Sequence, residues 1–135
     1  MYPTNAEEIT NIITLLKPKT STGHDRISPK IIKQLYSRKS NENITARGII
    51  PPLVHIVNLS ISTGVVPKAM KIAKVIPIFK NSGSSSETKN YRPVSLLPVL
   101  SKILERIVYN RLFNFLIKQN ILYKSQYGFQ KYLST

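Results

Sequence analysis

The chain has 135 residues, which is enough for one hydrophobic core but too few for two independent domains. Its 20 basic and 6 acidic side chains give a formal charge of +14, and a hydrophobic fraction of 41% argues against wholesale disorder. Residues 1–64 contribute +4 of this charge (8 basic minus 4 acidic) and residues 65–135 contribute +10 (12 minus 2). Such a surplus repels itself unless an anion offsets it, so nucleic acid is the expected partner; a basic surface without a specific ligand is the alternative.

The composition also argues against several classes of protein. There is no cysteine, which excludes disulfides and thiolate metal sites and fits a reducing intracellular compartment, nucleus or cytoplasm. The uncharged window 48–67 is long enough to span a membrane, but its three prolines and two glycines favour a buried helix, so no membrane partner is expected. The carboxylates are scattered, and no P-loop, nucleophile elbow or zinc-binding helix is present, which makes a self-contained enzyme a poor interpretation.

Two helices are predicted near the N-terminus. Thr4 and Glu7 have capping-box spacing ahead of an apolar helical period, which predicts a helix over about 5–17. A loop that carries two lysines follows. Ser28 and Pro29 then have the residue types of a helix start, with Ser as the cap and Pro in the first turn.

A third helix is predicted over about 50–62. The polar residues 37–47 before it are typical of a surface loop. Two prolines near its first turn and Gly64 after its last turn are the expected start and stop signals. His55 falls within the apolar pattern of this helix, so we expect a partly buried structural imidazole there.

Two strands and a long helix are predicted in the second half of the chain. "KIAKVIPIF" and "YRPVSLL" have the composition of extended segments, and the polar "NSGSSSETKN" between them is typical of a loop. Pro93 removes a ladder donor and favours an edge strand. The strongest helix covers about 98–119, with an apolar stripe of Leu100, Leu104, Ile107, Val108, Leu112 and Leu116. The predicted class is α+β, with helices packed on a short β-hairpin.

The predicted hairpin carries one basic residue at each inner strand end. Lys80 ends the first strand and Arg92 begins the second. A Lys as a point charge and an Arg as a planar fork could together bind a polyphosphate, and the loop could close over a nucleotide. The alternative is that both are solvated strand ends.

Four stretches of the chain carry motifs in a fixed order. "IITLLKPKTSTGHDRISPKIIKQL" has an apolar helix, a Lys-rich loop and Gly-x-Asp-x-Ile, and "NLSISTGVVPKAMKIAKVIPIFK" joins Gly-x-x-Pro to Val-Ile-Pro-Ile-x-Lys. "NYRPVSLLPVLSKILERIVYNRLFNFL" has Asn-Tyr-Arg-Pro and a Lys-x-x-Glu helix with Arg-Leu, and "SQYGFQKYLST" has Gln-x-Gly-Phe before Ser-Thr. With these motifs in this order, the chain resembles the N-terminal part of the reverse transcriptases of non-LTR (LINE-type) retrotransposons. The resemblance covers nearly the whole chain.

The resemblance implies the fingers subdomain of a right-hand polymerase, with residues 1–135 forming a partial reverse transcriptase domain. In such enzymes a fingers Lys and Arg contact the triphosphate of the incoming deoxynucleotide, and Lys80 and Arg92 match them. The residues that would contact template RNA are Lys17, Lys19, Lys102, Arg106, Gln126, Gly128 and Phe129.

Ordinary structural roles compete with some of these assignments. For Lys102, Arg106 and Arg111 a solvated helix face is the more common role. Asp25 is expected to bond backbone amides near a helix start rather than to take part in catalysis.

The chain also departs from the family pattern. Met70 stands where Trp is frequent, and Gln130 stands where Arg is usual, so a template or nucleotide contact is not carried over to position 130. The palm, whose aspartates hold two Mg²⁺ ions, would follow residue 135. The chain alone is therefore expected to be inactive and to hold no cofactor.

The complete enzyme would need Mg²⁺, template RNA, primer DNA, a deoxynucleoside triphosphate, and the palm and thumb of a longer polyprotein. Two alternatives stay open for this chain. One is a non-catalytic basic remnant that binds RNA or nucleotides, and the other is a non-functional pseudogene product.

Overall fold

The computed structural model describes residues 1–37 and 48–122, which form four helices and one β-hairpin. The helices are α1 (Ala6–Leu15), α2 (Pro29–Ser37), α3 (Ile50–Thr63) and α4 (Val99–Lys118). The strands are β1 (Lys74–Phe79) and β2 (Tyr91–Leu96), each preceded by a short 3-10 turn, at Lys68–Lys71 and Thr88–Asn90. The predicted α+β class and order of elements are confirmed. The predicted surface loop beyond residue 37 lies outside the described residues.

The N-cap of α1 is Asn5, and the prediction that Thr4 caps this helix was wrong. The Asn5 side chain accepts a hydrogen bond of 2.8 Å from the backbone N–H of Glu8. Thr4 is buried and engaged elsewhere: its backbone N–H and C=O both pair with the side-chain amide of Asn58 in α3, at 2.6 and 3.0 Å. A tertiary contact that the local pattern does not reveal therefore moves the cap by one residue.

The predicted start of α2 and the predicted bounds of α3 are confirmed. The Ser28 hydroxyl accepts a hydrogen bond of 3.3 Å from the Ile31 N–H at the start of α2. Gly64 ends α3 in the left-handed conformation, with a φ of 69° that a side chain would strain. His55 is exposed, which corrects the prediction of partial burial, because α3 turns a different face toward the core.

The core forms around α1, which contacts α2, α3 and α4. Its buried apolar side chains come from all four helices and from the 3-10 turn before β1: Ile9, Ile12, Ile13, Ile32, Ile50, Leu53, Val57, Met70, Val99, Ile103, Leu104 and Ile107. Within the described ranges, no helix is both long and apolar enough to cross a lipid bilayer.

The buried face of α4 coincides only in part with the predicted apolar stripe, of which Leu104 and Ile107 are buried. Val99, Ile103 and Ile107 are buried at a spacing of four, whereas Leu100 and Val108 of the predicted stripe are half-buried. Leu112 is 51% exposed. Apolar residues occupy two adjacent faces of α4, and only packing against α1 selects which of them enters the core.

Arg111 is buried, so the prediction that it lies on a solvated helix face was wrong. One terminal nitrogen, Nη2, donates to a Glu8 carboxylate oxygen at 2.7 Å and to the Pro3 carbonyl at 3.2 Å. The other, Nη1, donates to the Tyr2 carbonyl, and the guanidinium lies 4.2 Å from the centroid of the Tyr2 ring. The residues before α1 fold back over α4 and supply these partners.

The hairpin is antiparallel and projects from the helices. Lys74 lies opposite Leu96 at its base, and Phe79 lies opposite Tyr91 beside its loop. None of the twelve strand residues is buried. The orientation of the hairpin is consequently not fixed by burial of its own side chains.

The two strand prolines lie directly opposite each other. The Lys80 N–H donates to the Asn90 carbonyl at 2.8 Å, so alternation along the strands turns the ring nitrogens of Pro77 and Pro93 away from the partner strand. Neither proline removes a ladder hydrogen bond. Both strands are edge strands, as Pro93 predicted.

Candidate nucleotide-binding hairpin and nucleic-acid surface

Lys80 and Arg92 lie on one face of the hairpin, next to its loop. Arg92 is the register partner of Ile78, and Lys80 follows Ile78 by two residues, so the three side chains project from the same face. This makes Lys80 and Arg92 diagonal neighbours, for which a Cα separation of roughly 7–8 Å is typical. Both side chains are exposed. An anion on this face could contact both.

Hydrogen bonds organise the loop between the strands. The Asn90 side-chain amide donates to the Ser84 carbonyl at 2.7 Å, and the Lys80 ammonium donates to the Lys89 carbonyl at 2.7 Å. The Lys80 side chain is thereby held beside the loop. An ammonium group has three donors, so two remain for a ligand.

An aromatic pair on the opposite face joins the strands beside the loop. Phe79 and Tyr91 are register partners, with ring centroids 5.4 Å apart and planes inclined at 54°. The Tyr91 hydroxyl donates to the Ser85 carbonyl at 2.8 Å. Such pairs contribute about 0.5–1.5 kcal/mol beyond the burial of their area. The pair keeps the two cations of the other face in register.

The acidic residue of the hairpin loop does not neutralise this pair of cations. Glu87 lies 3.1 Å from the Lys89 ammonium, and both side chains are largely exposed. Within residues 1–37 and 48–122, no carboxylate lies within ion-pair distance of Lys80 or Arg92. An anionic ligand would therefore find both cations without a competing carboxylate.

A loop before α2 contacts the base of the hairpin, which we define as residues 70–73 and 97–98. Gly23 is buried against it: a Cβ at this position would come within 2.8 Å of the Pro98 nitrogen and 3.0 Å of the Leu97 carbonyl carbon. The Nδ1 atom of His24 lies 3.1 Å from the Ile72 carbonyl oxygen. Sequence reasoning included Gly23 in a motif without giving it a role, and it missed His24.

Asp25 has the structural role that the sequence predicted. Its carboxylate accepts a hydrogen bond of 3.2 Å from the Ile27 N–H, ahead of α2. Arg26 between them has a φ of 58°, which gives the loop its sharp turn. Gly23 lies in the same loop and does not have a positive φ. A glycine in a loop can also indicate that another backbone segment passes close to it, and this signal could have predicted the role of Gly23.

Lys102 and Arg106 line a groove of about 820 Å³ between the C-terminal end of α1 and the middle of α4. We call it the α1–α4 groove; the other residues that line it are Ile12, Leu15, Leu16, Glu105, Tyr109 and Asn110. Lys17 follows Leu16 directly, and both Lys17 and Lys19 are exposed. Two of the predicted template residues, Lys102 and Arg106, therefore line one groove together with Glu105, while Lys17 and Lys19 are exposed residues of the segment that follows α1.

An aromatic stack beside this groove escaped the sequence analysis. The Tyr109 and Phe113 rings lie 5.4 Å apart and nearly parallel, at 10°, and the Arg106 guanidinium lies 5.8 Å from the Tyr109 centroid. Tyr109 is 48% exposed. The i, i+3 and i, i+4 spacings of these residues on a predicted helix were the available signal.

Three predicted template residues, Gln126, Gly128 and Phe129, lie outside the described residues. In the part of the chain that the structure describes, no group of three or more His, Cys, Asp or Glu side chains could hold a metal ion. The residues described here thus do not fit a site for catalytic Mg²⁺.

Three relatives from mobile elements of Drosophila match most of this chain. The RNA-directed DNA polymerase from mobile element jockey of Drosophila funebris is 32% identical over 128 residues, which cover 95% of this chain and 13% of that protein. Its namesake in Drosophila melanogaster is 33% identical over 124 residues, covering 92% and 12%. A probable RNA-directed DNA polymerase from transposon BS of Drosophila melanogaster is 33% identical over 133 residues, covering 98% and 14%.

The similarity therefore extends along nearly all of this chain but only a small part of each relative. The chain spans between 12% and 14% of the length of these three proteins. No protein-family model matches it.

Proposed function

Because the chain is a homologue of one segment of the RNA-directed DNA polymerases of non-LTR retrotransposons, we propose that it is the fingers portion of such an enzyme. In this role it binds the incoming deoxynucleoside triphosphate and the template RNA. The hairpin supplies the nucleotide contacts, and the α1–α4 groove supplies template contacts.

The observation that carries the proposal is the placement of Lys80 and Arg92. They project from one exposed face beside the hairpin loop, and no described carboxylate pairs with them. A triphosphate has several anionic oxygens on adjacent phosphorus atoms, so it can accept hydrogen bonds from an ammonium and a guanidinium at once. The antiparallel register of the hairpin, with Ile78 opposite Arg92, places these two donors as diagonal neighbours on one face.

The proposal predicts that the chain binds dATP through its triphosphate. Lys80→Ala and Arg92→Ala should each weaken dATP binding by roughly tenfold, because each removes a charge-assisted hydrogen bond. Isothermal titration of the chain with dATP, and with adenosine as the ligand that lacks phosphate, measures this.

Lys74→Ala is the matched control for that experiment. Lys74 is an exposed cation on the same face of β1, six residues and roughly 20 Å from Lys80. If its loss weakens dATP binding as much as the loss of Lys80, the binding is non-specific and the nucleotide role is wrong. Equal affinity for adenosine and dATP contradicts the proposal as well.

A second candidate function is RNA binding without catalysis, and the α1–α4 groove favours it. The groove combines an apolar wall, cations on α4 and a half-exposed tyrosine. Proteins that bind single strands without sequence preference combine the same elements, a basic path for the backbone and aromatic rings for the bases. This function does not need the nucleotide site, so loss of dATP binding with retained RNA binding would select it.

The activity of a complete enzyme needs components beyond the described residues. Primer DNA, Mg²⁺ and the palm and thumb belong to the proposed polymerase as a whole. We assign no Mg²⁺ ligand among the described residues, where no three His, Cys, Asp or Glu side chains are grouped so as to hold a metal ion.

A further inference from the structure

The base of the hairpin is its main connection to the helical core. No strand residue is buried, so packing of the strands does not determine the direction in which the hairpin projects. The direction depends on the two chain segments that enter and leave it, residues 70–73 before β1 and residues 97–98 after β2. The loop that carries Gly23 and His24 contacts both segments, and Ser101 of α4 contacts the first.

The segment after β2 contacts Gly23 without space for a side chain. The nearest heavy atoms to a Cβ at this position are the Pro98 nitrogen at 2.8 Å, the Leu97 carbonyl carbon at 3.0 Å and the Pro98 Cα at 3.0 Å. All three are backbone atoms, which cannot rotate away as a flexible side chain can. A larger residue here would displace the start of α4 or the end of β2.

Two side chains bind the backbone of the segment before β1. His24, adjacent to Gly23, lies with its Nδ1 atom 3.1 Å from the Ile72 carbonyl oxygen. Since a carbonyl only accepts, Nδ1 carries the proton in this contact. The Ser101 hydroxyl of α4 donates to the Met70 carbonyl at 2.6 Å in a buried hydrogen bond.

We propose that Gly23 and His24 are positioning residues that set the orientation of the hairpin, and with it the place of Lys80 and Arg92. One loop contacts both segments of the hairpin base, and a displacement there is carried along roughly 20 Å of strand to the loop end. The role of the orientation in nucleotide binding rests on the proposed function. The orientation itself does not depend on any ligand.

Substitutions at the two positions separate positioning from simple stability. Gly23→Ala should shift or broaden the orientation of the hairpin, because the added carbon meets backbone. His24→Ala should broaden it by removing the donor to Ile72. His24→Asn should restore it, because the Asn amide nitrogen occupies the place of Nδ1, whereas His24→Gln extends its nitrogen to the place of Nε2 and should not.

The orientation can be measured in the whole chain by spin-label distances. The chain has no cysteine, so Ser85→Cys in the hairpin loop and Asn114→Cys on α4 introduce the only two labelling sites, both at exposed positions. A single narrow distance distribution is expected for the doubly labelled chain. Gly23→Ala, His24→Ala and His24→Gln should each shift or widen it, and His24→Asn should leave it unchanged.

Titration with dATP then links orientation to binding. Gly23→Ala and His24→Ala should weaken dATP binding by roughly tenfold with circular dichroism unchanged, and His24→Asn should retain it. Unaltered distances in both Gly23→Ala and His24→Ala overturn the positioning role. If Gly23→Ala fails to fold, the His24 series decides alone.

Failure of the proposed function gives a different result. In that case Lys80→Ala and Arg92→Ala leave dATP binding unchanged, while the distance measurements still test Gly23 and His24. Altered distances with unaltered dATP affinity would keep the orienting role and remove its link to nucleotide binding.

Discussion

Arg111 of α4 connects the N-terminal residues 2–8 to the helical core. Its side chain is only 5% exposed, and its guanidinium contacts the Glu8 carboxylate, two carbonyls and the Tyr2 ring. The Glu8 carboxylate also accepts a hydrogen bond of 2.5 Å from the Thr4 hydroxyl. These contacts connect residues 2–8 to α4, which lies about a hundred positions later in the chain.

Removing Arg111 is expected to destabilise the fold strongly. Arg111→Ala leaves a partly buried carboxylate without its counter-ion, so the free energy of unfolding should fall by about 3 kcal/mol. Arg106→Ala, an exposed arginine of the same helix, should change it by less than about 0.5 kcal/mol. Urea denaturation measures both values, and equal effects of the two substitutions would contradict the structural role of Arg111.

The same residue marks a limit of sequence reasoning. Lys102, Arg106 and Arg111 are basic residues of one helix, and nothing in their local spacing distinguishes the buried one. Arg111 differs because Tyr2 and Glu8, distant in sequence, lie against it. Burial of a charge depends on such partners and not on the helical period.

At the scale of the element, the hairpin combines exposed strands with protected edges. A two-stranded sheet has two free edges, whose unpaired N–H and C=O groups can pair with another chain. Pro77 and Pro93 lie opposite each other with their ring nitrogens facing outward, so each outer edge lacks a donor at its centre. The prolines are thus compatible with the ladder and unfavourable for edge-to-edge association.

Replacing both prolines should promote self-association. The double substitution Pro77→Val and Pro93→Val restores an outward N–H on each edge and adds residues of high strand propensity. Sedimentation velocity over a range of concentrations should show oligomers that the parent chain does not form. Pro67→Val, a proline outside the sheet, is the control, and a monomeric double variant would contradict this explanation.

At the scale of the whole molecule, part of the positive charge lies in the α1–α4 groove. Lys102 and Arg106 line the groove, and the exposed Lys17 follows its lining residue Leu16 in the chain. Such a surface binds a nucleic-acid backbone with release of counter-ions, so affinity should fall as salt rises. With a net charge of +14, the chain will bind any polyanion with an affinity that depends on salt. The informative question is therefore which cations make the contacts.

The location can be tested by neutralising pairs of cations. The double substitution Lys102→Ala and Arg106→Ala should reduce the magnitude of the slope of log K against log salt for a single-stranded RNA by roughly 1.4. This value assumes two lost phosphate contacts at about 0.7 each. Lys30→Ala with Lys118→Ala removes the same charge from exposed positions outside the groove and should change the slope less. Equal changes in both pairs would mean that the groove is not the binding surface.

A substitution at Tyr109 tests RNA binding in the groove without changing the charge of the chain. Its half-exposed ring stacks on Phe113 and lies at the groove, so we expect a nucleobase to stack there after displacing the loosely placed Arg106 guanidinium. Tyr109→Ala should weaken RNA binding by roughly 1 kcal/mol without changing the salt slope, whereas Tyr109→Phe should not. Fluorescence anisotropy with labelled RNA measures both, and equal affinities for the two variants would exclude stacking.

The sequence by itself determined most of the local structure and indicated a similarity to RNA-directed DNA polymerases of mobile elements. Prolines and glycines at the ends of elements, together with the spacing of apolar residues, predicted the helices and strands and their order. These signals are local because they depend on residues only a few positions apart. The ordered motifs gave the relationship, and the hairpin pattern gave the pairing of Lys80 with Arg92.

Only the tertiary structure decided which faces meet. It selected the buried stripe of α4, placed Arg111 against Tyr2 and brought the Gly23 loop to the hairpin base. The Arg111–Tyr2 contact joins residues 109 positions apart, and the Gly23–Pro98 contact joins residues 75 positions apart (98 − 23). Close packing of side chains and backbone between such distant segments depends on the whole fold, and no local pattern specifies it.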